Sequence, residues 1–353
     1  MNKRYAASAA TAVLTLIAAG AAQAGGLDRS GQDVSALFET GSYVETSFGY
    51  ISPSVSGTAA AGFGGTPSGN VAPGYTQFGF AFKTDFNPQM SLAIILDQPF
   101  GANVDYATAG YILNGAQATV STNAATILGR YKFSDNFSVY AGPRIVTASG
   151  NYTAAPALGV YSSTYSTDMA VGYVVGAAYE IPEIALRAAV TYSSQTSFSM
   201  AGTAGDLSAT MPQSINFDFQ TGIAKDTLAF ASIRWVNWAN ATIDDSLAGN
   251  LADFNNRDSI SYEVGIGHKF SDQFSAQVSF GYEAASGLAA SNLSPTDGYY
   301  SVGIGGSYDL GNGMKISGGL NYVLLGDATT ETIGSSFSGN SAIGGGLKLS
   351  YAF

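Results

Sequence analysis

From residue 42 onward the chain alternates apolar and polar residues with a period of two, and the segments that do so are joined by connections that are in turn tight and long. The tight ones are Asn87-Pro88, Ser134-Asp135-Asn136, Pro182-Glu183, Lys225-Asp226, Ser271-Asp272-Gln273 and Gly311-Asn312-Gly313, all built from residues that form hairpin turns. Between them lie longer polar stretches rich in Gly, Ser, Thr and Asn, near residues 56–74, 99–118, 153–164, 201–212, 243–257, 285–297 and 328–340. Six short turns and seven long loops join fourteen strands. An even count with short turns at one end and long loops at the other is the pattern of a bacterial transmembrane barrel, and it places both termini at the short-turn end.

The faces support the count. In Phe274 to Glu283, the residues Phe274, Ala276, Val278, Phe280 and Tyr282 fall on one side, with Ser275, Gln277, Ser279, Gly281 and Glu283 on the other. Met314, Ile316, Leu320, Tyr322 and Leu324 likewise oppose Lys315, Ser317 and Asn321, and Leu347, Leu349, Tyr351 and Phe353 oppose Lys348 and Ser350. One face suits lipid and the other water. An open sheet edge in hydrocarbon strands unpaired backbone groups at several kcal/mol each, so such segments must close on themselves. Many run past the ~9–11 residues that cross a bilayer, which predicts a tall barrel. A secreted sandwich or solenoid would also alternate, but nothing in those folds demands strict short/long parity.

Composition agrees. Charged residues make up 11% of the chain, while Gly (44), Tyr (21) and Phe (20) are abundant, and a soluble domain has about 25% charge. Mean hydropathy is only +0.13, as expected when one face of every strand is apolar and the other polar. A net charge of −11 excludes nucleic acid as a partner. There is no cysteine, so no disulfide framework is available. At the N-terminus Lys3 and Arg4 precede an uncharged run from Tyr5 to Gly20, then Ala22-Gln23-Ala24. This reads as a cleaved secretory signal over residues 1–24, and nothing later offers the ~20 apolar residues of a spanning helix.

Catalytic and cofactor chemistry finds no support. The single histidine, His268, falls beside a short turn on the phase of Tyr262, Val264 and Ile266. A Ser-His hydrolase acting on external lipid would need it at the other end, within reach of a nucleophile. No metal-ligand spacing is present, calcium held by Asp244, Asp245, Asp253 and Asp258 is a weak possibility, and no glycine run joins a strand to a helix as a phosphate loop does. No cofactor and no metal are expected.

Several segments, in order, resemble the long-chain fatty acid and aromatic-hydrocarbon transporters of the FadL/TodX type: Ser42 to Gly57, Asn70-Val71-Ala72-Pro73, and Thr167 to Tyr192 with its Tyr179-Glu180-Ile181-Pro182 turn. The others are Met211-Pro212-Gln213-Ser214 leading the eighth strand, Trp235-Val236-Asn237-Trp238 at the ninth, and the closing run Asp297 to Phe353. The terminal Tyr351-Ala352-Phe353 also resembles the assembly signal of outer-membrane barrels. The resemblance implies fourteen strands, an N-terminal plug, and a kinked third strand that opens the wall sideways so that hydrophobic substrates leave into the membrane. It also implies an outer-membrane monomer, in contact with lipid and lipopolysaccharide, with a fatty acid or hydrocarbon as small-molecule partner.

On that reading residues 25–41 are the plug, with Asp28, Arg29, Asp33 and Phe38 among its chemistry-bearing residues, and residues 42–353 are the barrel. The segment is shorter than the family's usual plug and lacks its Asn-Pro-Ala; a plain lead-in to the first strand is the alternative. Pro99, Phe100 and Gly101 follow the third strand directly, and proline and glycine remove ladder bonds or bend strands. They either interrupt the wall, with Phe100 lining an apolar exit, or simply begin the loop. Phe63, Leu113 and Leu288, with Tyr111, Ile112 and Leu293, offer apolar loop surface for capture. Arg130, Lys132 and Arg144 are candidates for a substrate carboxylate, or they pair with Glu263, Glu283 or Asp309 to hold the lumen. Two functions remain: a plug-gated passive transporter of hydrophobic compounds, and a general porin or structural barrel.

Overall fold

The computed structural model describes residues 27–252 and 258–353; the expected signal segment 1–24 lies outside them. One large antiparallel sheet contains fifteen strand segments. Two of these, Met90–Asp97 and Gly101–Asp105, are consecutive pieces of one wall strand on the same neighbour, which leaves fourteen. In chain order they are β1 (Tyr43–Ser54), β2 (Tyr75–Asp85), β3 (Met90–Asp97, then Gly101–Asp105), β4 (Gln117–Lys132) and β5 (Phe137–Thr153). There follow β6 (Ser162–Ile181), β7 (Leu186–Ser193), β8 (Ser214–Ala224), β9 (Thr227–Val236) and β10 (Ser259–Lys269). The last four are β11 (Phe274–Glu283), β12 (Tyr299–Gly311), β13 (Met314–Leu325) and β14 (Ser341–Ala352).

Each strand pairs with its chain neighbours, and β1 closes on β14 from Tyr43↔Ala352 to Ser54↔Ser341. The six short turns and seven long loops fall where the residue pattern puts them. Asn312 and Gly313 both take positive φ, 54° and 82°, the combination that fits a two-residue turn to twisted strands. The eighth strand begins at Ser214 after Pro212, and Trp235 lies in the ninth.

Outward positions are apolar and exposed (Phe280, Ile304, Leu320, Leu347), while the residues between them, such as Ser279, Glu283 and Ser350, are buried inside. A closed barrel with an apolar belt and a polar lumen is a membrane-spanning barrel. Strands β4, β5 and β6 reach 16, 17 and 20 residues, beyond the ~9–11 needed to cross, so this side stands tall above the belt. At the loop end, parts of the long loops pair into two small sheets. One joins Thr196–Met200, Leu207–Met211, Thr242–Asp245 and Gly249–Asn250; the other joins Gly57–Thr58, Ser336–Phe337 and Ala328–Thr329.

Candidate functional site: the break in the third strand and the N-terminal segment

The inner piece of β3 pairs with β2 only as far as Phe80↔Leu96. Beyond Gln98-Pro99-Phe100 the chain resumes as Gly101–Asp105, which pairs with β4 alone. The stretch of β2 from Tyr75 to Gly79 therefore has β1 on one side and, among the described residues, no strand on the other. Proline supplies no donor at this point. Gln98 partly fills the gap: its Oε1 accepts the Phe78 N–H at 3.0 Å and its Nε2 donates to Asn123 Oδ1 at 3.2 Å.

The ladder groups that β3 withholds from β2 go inward. Arg29 N donates to Pro99 O (2.9 Å), Gly101 N donates to Leu27 O (2.7 Å), and Asp28 bridges Phe100. The N-terminal segment thus pairs with the break from inside the barrel. Phe100 is buried, because at the kink its ring finds an apolar interior: it meets the Trp238 ring edge-on at 5.9 Å and packs in a cluster with Leu27, Val146 and Met211.

From the break the segment crosses the lumen. Asp28 Oδ2 accepts from Arg234 Nε at 2.6 Å, Ser214 Oγ donates to Gln32 at 2.6 Å, and Asn216 donates to Gly31 O at 2.8 Å, all on β8 and β9. Ser30 donates to Asp97, which also receives Arg144 Nη2 through both oxygens at 3.0 and 3.1 Å. Asp33 starts a short turn by accepting the Ser35 N–H and hydroxyl, and a 3-10 helix follows, Ser35–Phe38. Leu37 is fully buried against the inner wall beside Leu128 and Val174. Phe38 lies edge-on to Tyr140, with the Arg130 and Arg187 guanidiniums each 4.6 Å from its ring centre.

Of the proposed carboxylate ligands, Arg130 bonds Glu180 and Ser138 near the turn end, Arg144 bonds Asp97 at the level of the break, and Lys132 sits half-buried at the turn end of β4. The acids that hold the two arginines are Glu180 and Asp97, not Glu263, Glu283 or Asp309. Sequence reasoning missed Asp97, Arg234, Gln98 and Trp238 as members of this site. Asp97 stands one residue before Gln98-Pro99, a signal that was available; Arg234 is joined to the segment across 206 residues, which no local pattern reveals.

Two of the cavities beside the segment bear on the site. One, about 290 Å³, lies under the loops and is lined by Leu27, Ala102, Val120, Trp238, Leu288 and Leu293. The other, about 220 Å³, lies in the lumen against Ser30, Gly31, Asp97, Arg234, Glu263 and Lys348. Of the apolar loop residues picked out from the sequence, Leu288 and Leu293 line the cavity under the loops. Leu113 is buried in a separate cluster with Tyr111, and Phe63 is exposed on the first loop. Tyr106 stacks on Tyr111 at 5.5 Å and donates to Asn292 O at 2.6 Å, tying the second loop to the sixth. Burial raises the Tyr106 pKa, so this hydroxyl remains a donor.

Arg29 is 8% exposed. Its Nε has no hydrogen-bond partner, and its guanidinium lies 4.0 Å from the Tyr75 ring centre. Burial lowers its pKa, an effect that Tyr75 partly offsets. Asp28 Oδ1 is also without a partner.

The site and fold define a membrane-spanning barrel of fourteen strands with an interrupted third strand and an N-terminal segment bonded to the interruption from within. Solved structures share the barrel fold. A FadL homologue of Pseudomonas aeruginosa superposes with a TM-score of 0.72 at 13% identity, over 91% of this chain and 92% of its own. The P. putida toluene transporter TodX gives 0.68 at 13% identity, over 89% and 91%. The Ralstonia pickettii toluene transporter TbuX gives 0.64 at 15% identity, over 90% and 91%. No protein-family model and no curated protein matches the sequence. The fold is that of the FadL/TodX-type barrels.

Proposed function

We propose that the protein is an outer-membrane transporter that takes up hydrophobic compounds, long-chain fatty acids or molecules like them, by passive diffusion. The observation that carries this is the N-terminal segment, which separates an apolar cavity under the loops from a polar lumen and is bonded to the strand whose ladder to β2 stops at Leu96. Ligand enters the cavity beside Leu288, Leu293 and Trp238. Residues 27–41, with the preceding Gly25 and Gly26, act as the hatch; their shift breaks the Leu27 and Arg29 bonds to β3, and the ligand leaves through the wall between β2 and the outer piece of β3. A hydrophobic molecule gains by that route, since the lumen beyond is lined with Asp97, Arg234, Glu263 and Lys348 and the bilayer is not. The chemistry is non-covalent, and the chain acts as a monomer in contact with lipid and lipopolysaccharide. The fold shared with toluene transporters supports the substrate class.

The test is uptake of a labelled long-chain fatty acid by cells lacking their own transporter and expressing this chain, beside the triple variant Pro99→Val, Phe100→Thr, Gly101→Val. Uptake by the parent that vanishes in a folded variant is the expected result. No uptake by the parent, with small hydrophilic solutes passing freely, would establish a general porin instead.

A further inference from the structure

Resting on the uptake reading, we infer that the Gln98 side chain is the latch of the side exit: it shuts the wall between β2 and β3 in the resting barrel, and its release sets how fast a ligand leaves. Register places it there. Phe80↔Leu96 and Asp97↔Ala124 are the last pairs that β3 makes with β2 and with β4 before the kink, so Gln98 stands level with Phe78 on one neighbour and Asn123 on the other. In an unbroken ladder a backbone carbonyl of β3 would accept the Phe78 N–H. Here the Gln98 carboxamide does so through Oε1 at 3.0 Å, while its Nε2 donates to Asn123 Oδ1 at 3.2 Å. The orientation of the amide follows from its partners, since a backbone N–H needs an acceptor and that turns Nε2 to Asn123. Pro99 keeps the residue before it extended, which holds Gln98 in line with the strand it leaves.

The chemistry suits a part that must open. Phe78 and Asn123 are exposed on the outer face, where hydrocarbon offers no substitute partner and an unmade backbone bond is costly, so the closed form is favoured. A ladder carried on to Tyr75 would be held by several bonds at once and by main chain that cannot turn aside. A side-chain carboxamide gives up both of its bonds by rotating between staggered χ wells, with the strands left where they are. Net gains from single hydrogen bonds are small, so two of them bias the closed form by roughly tenfold to hundredfold, enough to seal the wall at rest without trapping a ligand. The segment holds Pro99 O and Gly101 N from inside and Gln98 closes the outer face, so hatch and latch grip the same kink from its two sides. A shift of the hatch frees the kink, and Gln98 turns with it.

The experiment measures the initial rate of labelled long-chain fatty acid uptake by cells lacking their own transporter, for the parent, Gln98→Leu, Asn123→Ala, and Phe78→Cys combined with Gln98→Cys. The chain has no other cysteine, so a short reducible dithiol crosslinker bridges that pair alone. Heat-dependent gel mobility checks that each variant is folded. Gln98→Leu keeps the bulk and removes both bonds, and is expected to speed uptake by about tenfold. Asn123→Ala removes one bond and gives a smaller rise. The bridge stops uptake and a reductant restores it, a reversal that a merely structural role for residue 98 would not produce. Uptake by the parent that is unchanged or slower in folded Gln98→Leu, or that persists through the bridge, overturns the latch and leaves hydrophobic transport standing. No uptake by the parent or by any variant overturns both.

Discussion

Two stretches of the same wall differ in what holds them. Between β11 and β12 ten consecutive pairs run from Phe274↔Tyr308 to Glu283↔Tyr299, every outward side chain meets lipid, and the ladder itself is the structure. At β3 only six pairs join it to β2, from Phe80↔Leu96 to Asp85↔Ser91, and the remaining backbone groups turn to Leu27 and Arg29 inside. The regular wall is stable through hydrogen bonds that any alternating sequence can make. The broken wall depends on particular interior side chains, so its stability and its capacity to open are set by the same contacts. A lumen segment bonded to a continuous ladder would have nothing to release.

Substitutions on the two sides should separate accordingly. Arg234→Ala has the largest expected effect, about 3–5 kcal/mol, because it strands the buried Asp28 carboxylate; thermal unfolding in detergent checks the stability, and protease cleavage near residue 30 reports release of the segment. Leu37→Ala opens a void at a fully buried position and should cost about 2–5 kcal/mol. A loss much below that would mean the segment already detaches before the barrel melts.

The loop end should respond to pH. Burial alone would raise the Asp245 carboxyl, but the Ala248 N–H, the Tyr161 and Tyr165 hydroxyls and the Leu247 N–H hold it below the usual range. Its contribution is complete above the unfolded value of about 3.9 and is lost as pH falls through the lower folded value. Proteolysis of residues 246–249 should accelerate in that acid window for the parent, while Asp245→Asn should be nicked readily at every pH. The smallest effect is expected at Leu320→Ala on the regular wall, within about 0.5 kcal/mol, since the side chain faces outward and lipid fills the space it leaves. A cost equal to that of Leu37→Ala would erase the contrast between the two walls.

Much of this architecture was legible in the residues. Period-two alternation fixed which side chains face outward, as in Phe274, Val278 and Phe280, and turn chemistry at Asn87-Pro88 and Asn312-Gly313 fixed the connections. Pro99 stands at the break, but Pro53 and Pro143 stand inside strands that stay paired, so a missing N–H did not by itself single out the position. The direction of the turn was less visible. Phe100 could be read as lining an exit or as starting the loop, and its ring is seated on Trp238, since a local pattern records that a strand ends and not which interior surface will receive the ring.

The sequence by itself therefore determined the barrel: strand count, parity, faces and closure follow from alternation and from the cost of unpaired backbone in lipid, and both are properties of near neighbours in the chain. Only the tertiary structure decided which charges are satisfied. Asp28 finds Arg234, Arg144 finds Asp97 and Arg29 finds no acid among the described residues, and these outcomes depend on distances across the lumen between residues up to 206 positions apart. Pairing energy falls with distance and grows with burial, so which partner wins is settled by the closed barrel and by nothing written locally along the chain.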